Sequence, residues 1–277
     1  MIDEYKIDPI IKKAIEEDLG YGDITTDAIV DLYRKGSASI FANERMIIAG
    51  LRVFARVFEL LSTDMRFSTS LADGQEIGAG SRIGILSGPV SIILKGERVA
   101  LNLLQRMCGI ATITKRYVDS VSYLGTKILD TRKTVPGLRI LDKYAVRVGG
   151  GFNHRMGLYD GIIIKDNHIK AAGSITEAVR RVKENAPHTL RLEIEVETLE
   201  DVKEAIEAGV DIIMLDNMSP DDMKKAVIMG REKVMFEASG GIDLHKIREI
   251  ALTGVHMISI GALTHSMKSA DISLELD

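Results

Sequence analysis

In the second half of the chain, charged and glycine-rich clusters recur at the ends of short apolar runs. Ile128-Leu129 leads into Asp130-Thr131-Arg132-Lys133, Ile162-Ile163-Ile164 into Lys165-Asp166-Asn167-His168, and Ile212-Ile213-Met214-Leu215 into Asp216-Asn217. Val234-Met235-Phe236 leads into Glu237-Ala238-Ser239-Gly240-Gly241, Met257 to Ile260 into Gly261, and residues 192–197 carry Glu193, Glu195 and Glu197 at period two. Arg132, Lys133, His154, Arg155 and Lys165 form a basic set. Arginine grips carboxylate or phosphate with two parallel donors, and lysine acts as a compact point charge. Glu195 and Asp216, near the ends of successive apolar runs, suit a hard cation such as magnesium, with water and ligand oxygens filling its shell; a buried salt bridge is the alternative. The turns at 238–242 and 260–263 could present backbone N–H groups to a phosphate at a helix N-terminus, with Ser239, Gly240 and Gly261 nearest; tight turns would need the same glycines. His265, one turn beyond Gly261, could add a donor. Lys165 also permits a Schiff-base reading, in which desolvation and basic neighbours activate its amine. Zinc has no support, because there is no His-Glu-x-x-His and no cysteine pair.

The elements needed to hold these residues are legible as a period. From residue 127 to about 263 apolar strand-like runs alternate with helical segments at 175–184, 199–208, 221–229 and 244–251, which implies parallel strands joined by right-handed crossovers. In a parallel barrel the strand C-termini converge on one mouth, which is where the polar clusters fall. Six to seven such units are too few for a closed eight-stranded barrel, so an open, incomplete barrel is expected. A doubly wound sheet is the competing architecture, but no Gly-x-Gly-x-x-Gly follows a first strand. The first hundred residues differ: a helix over 7–19, strands over 37–43 and 46–49, a helix over 53–61, and short strands among Gly74, Gly78, Gly80, Gly84 and Gly88. The expected division is an N-terminal α+β domain at 1–105, a barrel at 106–265, and a tail at 266–277 packing back on the first domain. A helix over 98–105 leads from one to the other.

Composition narrows the function. The chain has 277 residues, 45% hydrophobic, with net charge -4, enough for a sizeable core. Yet residues 127–170 hold nine Lys or Arg against four Asp, a local excess of cations that calls for a small polyanion. Nucleic acid is not expected, because the basic residues are interleaved with glycine and aliphatics rather than exposed aromatics. No apolar run approaches a membrane span and the first residues lack signal-peptide character, so a cytoplasmic protein is expected. The single cysteine, Cys108, has no internal partner and reads as a buried, inert thiol.

The motifs together resemble a known family. Residues 17–26 (Glu17-Asp18-Leu19-Gly20-Tyr21-Gly22-Asp23-Ile24-Thr25-Thr26), the run from Asp130 to Arg139, the run from Gly149 to Leu158, and Lys165-Asp166-Asn167-His168 are similar to quinolinate phosphoribosyltransferases. The likeness continues through Glu195, Leu215-Asp216-Asn217, Ala238-Ser239-Gly240-Gly241 and Gly261, in order along essentially the whole chain. It implies an α/β sandwich-like N-terminal domain, an open seven-stranded α/β barrel and a homodimer with shared active sites, with a higher oligomer left open. It also implies magnesium, and conversion of quinolinate and phosphoribosyl pyrophosphate (PRPP) to nicotinate mononucleotide, pyrophosphate and carbon dioxide in NAD biosynthesis. By motif, Arg132, His154, Arg155 and Lys165 would hold the quinolinate carboxylates, with Arg98 reaching in from the neighbouring subunit. Lys133 would meet pyrophosphate, Glu195 and Asp216 the ribose and metal, and Ser239, Gly240 and Gly261 the 5-phosphate. Lys133, Lys165, Glu195 and Asp216 would carry the catalytic work. A Schiff-base lyase, a non-catalytic phosphometabolite sensor and a related phosphoribosyltransferase for another acid are the other readings.

Overall fold

The computed structural model describes residues 3–31 and 33–277. The chain divides into two compact units: Met1–Lys115 with Thr134–Gly150 and Leu263–Asp277, and Arg116–Lys133 with Gly151–Ala262.

The first unit is built on an antiparallel sheet of β1 (Lys35–Ala42), β3 (Arg66–Ser68), β5 (Arg82–Pro89) and β12 (Ile272–Leu276), in the order β12-β1-β5-β3. A separate pair, β2 (Met46–Ile47) and β4 (Glu76–Ile77), sits beside them in sequence. Helix Glu4–Leu19 starts where the Asp3 carboxylate accepts from the Tyr5 N–H at 3.1 Å, and it buries Ile7 and Ile11. It packs on helix Leu51–Leu61, whose Phe54 and Phe58 are fully buried with ring centroids 5.3 Å apart.

A helix expected over 98–105 in fact runs Val90–Val121. Its glycines serve close packing rather than ending it. A Cβ on Gly96 would lie 2.7 Å from the Phe58 ring, and one on Gly109 would lie 2.2 Å from the Lys268 carbonyl oxygen. Cys108 on this helix is buried and its thiol is pushed up to about 12 by desolvation, so it is inert toward oxidants and nucleophilic chemistry.

The second unit is a parallel sheet of β6 (Lys127–Leu129), β7 (Ile162–Ile164), β8 (Leu192–Val196), β9 (Ile212–Asp216), β10 (Met235–Ser239) and β11 (Met257–Ser259), ordered β6-β11-β10-β9-β8-β7. Its central strands bury residues on both faces, as a sheet covered by crossover helices must. Among the described residues six regular strands form where seven were expected. The seventh position is a single parallel bridge from Phe152 to Leu129, and the barrel stays open. Three crossover helices, Ile175–Asn185, Leu199–Ala208 and Pro220–Met229, begin alike: the hydroxyls of Ser174, Thr198 and Ser219 accept from the backbone three residues on, at 3.1 to 3.2 Å. Among the described residues no helix is long and apolar enough to cross a membrane.

Candidate active site

Because the six strands are parallel, the residues closing each one share an end of the barrel. Arg132 and Lys133 follow β6, Lys165 follows β7, Glu195 is the penultimate residue of its strand β8, Asp216 and Ser239 end β9 and β10, and Gly261 follows β11. Ser239 lies directly across from Asp216 in the β9–β10 register.

The loop after β6 and the segment 151–155 are tied by a buried acid. Asp130, fully buried, accepts from the His154 N–H at 2.8 Å and from the Asn153 amide at 2.6 Å. The Arg155 guanidinium donates to the Gly161 carbonyl at 2.8 Å, while its Nε is buried with no hydrogen-bond partner. Desolvation and the nearby Arg132 charge pull the Arg155 guanidinium below its ordinary range, opposed by Glu193 and Asp160. A buried guanidinium donor without a partner is suited to an anionic oxygen.

Lys165 donates to Glu195 in a close ion pair. The Lys165 N–H in turn donates to the His168 Nδ1 at 2.9 Å, which fixes the start of helix Asp166–Ala172. The histidine of Lys165-Asp166-Asn167-His168 thus holds the turn that carries the lysine. Asp216 accepts from the Asn217 amide at 3.0 Å. Asn217 is in the left-handed region, φ 54°, and its N–H donates to the Ser239 carbonyl at 3.0 Å.

The glycine turn after β10 has a definite cause. Gly240 and Gly241 have φ of 94° and 56°, and a Cβ on Gly240 would lie 2.3 Å from the Asn217 side-chain oxygen. This corrects the expectation that the turn opens a helix directly. Positive φ forbids continuation into an α-helix, and Asp243 next forms a turn by accepting from the His245 and Lys246 N–H groups at 2.9 and 3.0 Å. The helix expected over 244–251 begins only at Ile247 and runs to Ala251. A cavity of about 370 Å³ is lined by Asn217, Met218, Gly240, Gly241 and Lys246, among others. After β11 a helix does begin at once, Ala262–His265.

Two expected site residues belong to the first unit. Arg98, on helix Val90–Val121, is well exposed and lies 4.0 Å from Glu97. His265 is exposed, with its Nδ1 2.5 Å from the Ser266 hydroxyl. The basic set is not uniform either: His154 faces inward, with Nε2 3.2 Å from Glu193 and 3.6 Å from Glu237.

Sequence reasoning gave Glu193 and Glu237 no part in the site. Both are at least 95% buried, and one oxygen of each lacks a hydrogen-bond partner. Burial and the Glu193 charge push the Glu237 carboxyl up to about 7, opposed by His154, Ser259 and Lys165. The available signal was an acid inside an apolar run, Val234 to Ala238, together with the in-phase spacing of Glu193 and Glu195. Among the described residues these two acids and His154 also form the group of three metal-ligand types that lie together, within 4.8 Å.

Fold and site together define an open α/β-barrel enzyme with a cationic mouth. Comparison with known proteins makes the class specific. Residues 23–108 match the quinolinate phosphoribosyl transferase N-terminal domain, and residues 110–275 its C-terminal domain. A probable nicotinate-nucleotide pyrophosphorylase [carboxylating] of Bacillus subtilis is 46% identical over 94% of this chain and 90% of its own length. A protein of the same description from Synechocystis is 44% identical over 98% of this chain and 92% of its own length. The crystal structure of NadC from Streptococcus pyogenes superposes with a TM-score of 0.96 at 42% identity, covering 100% of this chain and 98% of that one. The chain belongs to the quinolinate phosphoribosyltransferase family.

Proposed function

We propose that this protein transfers the phosphoribosyl group of PRPP to quinolinate and removes one carboxylate, giving nicotinate mononucleotide, pyrophosphate and carbon dioxide for NAD biosynthesis. The observation that carries the reading is the buried, unpartnered Nε of Arg155 among the basic residues at the strand ends, in a chain that matches this family over residues 23–108 and 110–275. Quinolinate is a dianion and PRPP is more highly charged still, so substrates of this kind supply the oxygen that this donor lacks.

In the reaction the pyridine nitrogen forms a bond to the ribose anomeric carbon as the bond to pyrophosphate breaks. Positive charge grows on the sugar, and the carboxylates of Glu195 and Asp216 oppose it. Arg132, His154, Arg155 and Lys165 hold the quinolinate carboxylates, Lys133 the leaving pyrophosphate, and Ser239, Gly240 and Gly261 the 5-phosphate. His265 is an auxiliary donor. The ring nitrogen, now cationic, accepts the electron pair as the adjacent carbon–carboxylate bond breaks. Carbon dioxide leaves and that ring carbon takes a proton, so the protein need only orient and desolvate the carboxylate. No side-chain nucleophile is required, and the pairing of Lys165 with Glu195 fits a binding lysine better than a Schiff-base one.

Glu195 and Asp216 are hard oxygen donors of the kind magnesium uses alongside phosphate and water, and magnesium bound there would neutralise charge on the leaving group. The reading includes a cytoplasmic homodimer in which Arg98 reaches the neighbouring subunit's site. The exposed Tyr21, Ile24, Ile29 and Tyr33 fit a covered surface. Light scattering checks the dimer.

The test is to supply pure protein with quinolinate, PRPP and magnesium and to follow nicotinate mononucleotide and carbon dioxide. Both should form together, and neither when nicotinate replaces quinolinate. A product that keeps both ring carboxylates would overturn the decarboxylating step.

A further inference from the structure

The seventh strand position of the barrel is thinly held. Phe152 donates its N–H to the Ile128 carbonyl at 2.8 Å and accepts from the Asp130 N–H at 3.1 Å; among the described residues its backbone pairing with β6 goes no further. A side chain holds the next two residues instead. Asp130 is fully buried, and one of its oxygens accepts from the His154 N–H at 2.8 Å while the other accepts from the Asn153 amide at 2.6 Å. Bonds to an ionised acceptor are stronger than bonds to a carbonyl, so one carboxylate replaces the missing rungs of the ladder. Past this point the segment is closed locally. The Arg155 N–H donates to His154 Nδ1 at 2.7 Å, and Asp160 accepts from the Met156 and Gly157 N–H groups at 2.7 and 2.9 Å. The turn that carries Lys133 is tied separately, because the Thr131 hydroxyl accepts from the Lys133 N–H at 3.0 Å.

We infer that Asp130 is a positioning residue for quinolinate: its two oxygens extend the edge of β6 past Phe152 and fix the backbone from which His154 and Arg155 reach the substrate carboxylates. The inference deepens the proposed function and rests on it for the identity of the substrate. Asp130 touches no substrate in this account and acts through the two residues it holds. Because the Arg155 N–H is bonded to the His154 ring, a shift at His154 carries Arg155 with it. Misplacing a gripping group by about 1 Å can cost on the order of a hundredfold in rate, so the cost of releasing this backbone falls on substrate binding and alignment. It falls on quinolinate rather than on PRPP, since the Lys133 turn keeps its own bond to Thr131.

The experiment uses the full chain and the variant Asp130→Ala, which removes both acceptors. Amide hydrogen exchange followed by NMR reads the backbone in the free protein without reference to any substrate. The His154 N–H should exchange at least tenfold faster in the variant, while the Phe152 N–H, bonded to the Ile128 carbonyl, keeps its protection. A general loosening of the barrel would release both amides, and that result overturns the inference. Steady-state kinetics should show the KM for quinolinate rising at least tenfold, with the KM for PRPP within twofold. An unchanged quinolinate KM or an equal rise in both KM values overturns it. So does a folded variant with no measurable turnover, because a positioning role leaves the gripping groups themselves in place. If Asp130→Ala does not fold, Asn153→Leu removes one of the two donors at a solvent-exposed position and carries the same readouts, with a rise of at least threefold in the quinolinate KM. Failure of the wild type to consume quinolinate overturns the proposed function instead, and leaves the exchange result standing on its own.

Discussion

The two units treat buried polar groups in opposite ways. In the first, charge is spent on the fold. Arg106 grips the fully buried Asp142 with two bonds of 2.8 and 2.7 Å, and Asp73 accepts from the Gly50 and Leu51 N–H groups and from the Tyr144 hydroxyl. Arg52 and Arg56 share Glu4, Asp8 and Glu59. In the second, Arg155 Nε, Glu193 Oε1, Glu237 Oε1 and the Ser259 hydroxyl are all buried without a hydrogen-bond partner, against Thr114 alone in the first, among the described residues. Unsatisfied buried groups are rare because each costs stability, so a cluster of them inside one barrel marks where the fold keeps donors and acceptors for something else.

That contrast can be broken by substitution. Asp142→Ala leaves Arg106 buried and unpaired and should cost about 3 to 5 kcal/mol of stability, read by chemical denaturation. A loss under about 1 kcal/mol would show that the first unit does not depend on its ion pairs. Arg132→Ala should do the reverse: a loss of about 2 to 5 kcal/mol in kcat/KM, with a melting temperature close to wild type. A loss below about tenfold would place Arg132 outside the site.

The smallest effect sharpens the comparison through pH. Glu237 has its carboxyl raised in the folded state from 4.5 to about 7, chiefly by burial and then by Glu193. A raised group favours folding fully below its unfolded value, and that contribution is lost as pH rises toward and through the folded value. The wild type should therefore lose about 1 kcal/mol per pH unit across the middle of that window relative to Glu237→Gln. Parallel stability profiles for the two proteins would remove the strain assigned to the barrel interior.

Much of the barrel could be read from the chain because its signals are local. The limits of β7 and of helix Leu199–Ala208 fall where the apolar run Ile162-Ile163-Ile164 and the helical segment 199–208 put them. The long helix Val90–Val121 could not be read so, because Gly96 and Gly109 look like breaks until Phe58 and Lys268 are seen against them. The site residues were legible by type at the strand ends. What they touch was not: the pairing of Lys165 with Glu195 and the burial of Glu193 and Glu237 around His154 depend on residues far apart in sequence. Phe152 was invisible as a strand because one bridged residue has no period to detect.

Sheet order also governs how the chain comes to be folded. β1 lies between β5 and β12, with Ala38 paired to Leu276, and β6 pairs with β11 through Lys127 and Met257. During synthesis both early strands emerge long before those partners exist. At ribosomal speeds of roughly 5 to 20 residues per second, β1 waits about 10 to 50 seconds for β12. Through that interval each presents an unpaired edge to any other strand nearby, the condition under which chains associate wrongly. The nascent protein is thus most in need of a chaperone just before Ile272–Leu276 appear, and a chain shortened by those five residues would keep the β1 edge open for its whole life.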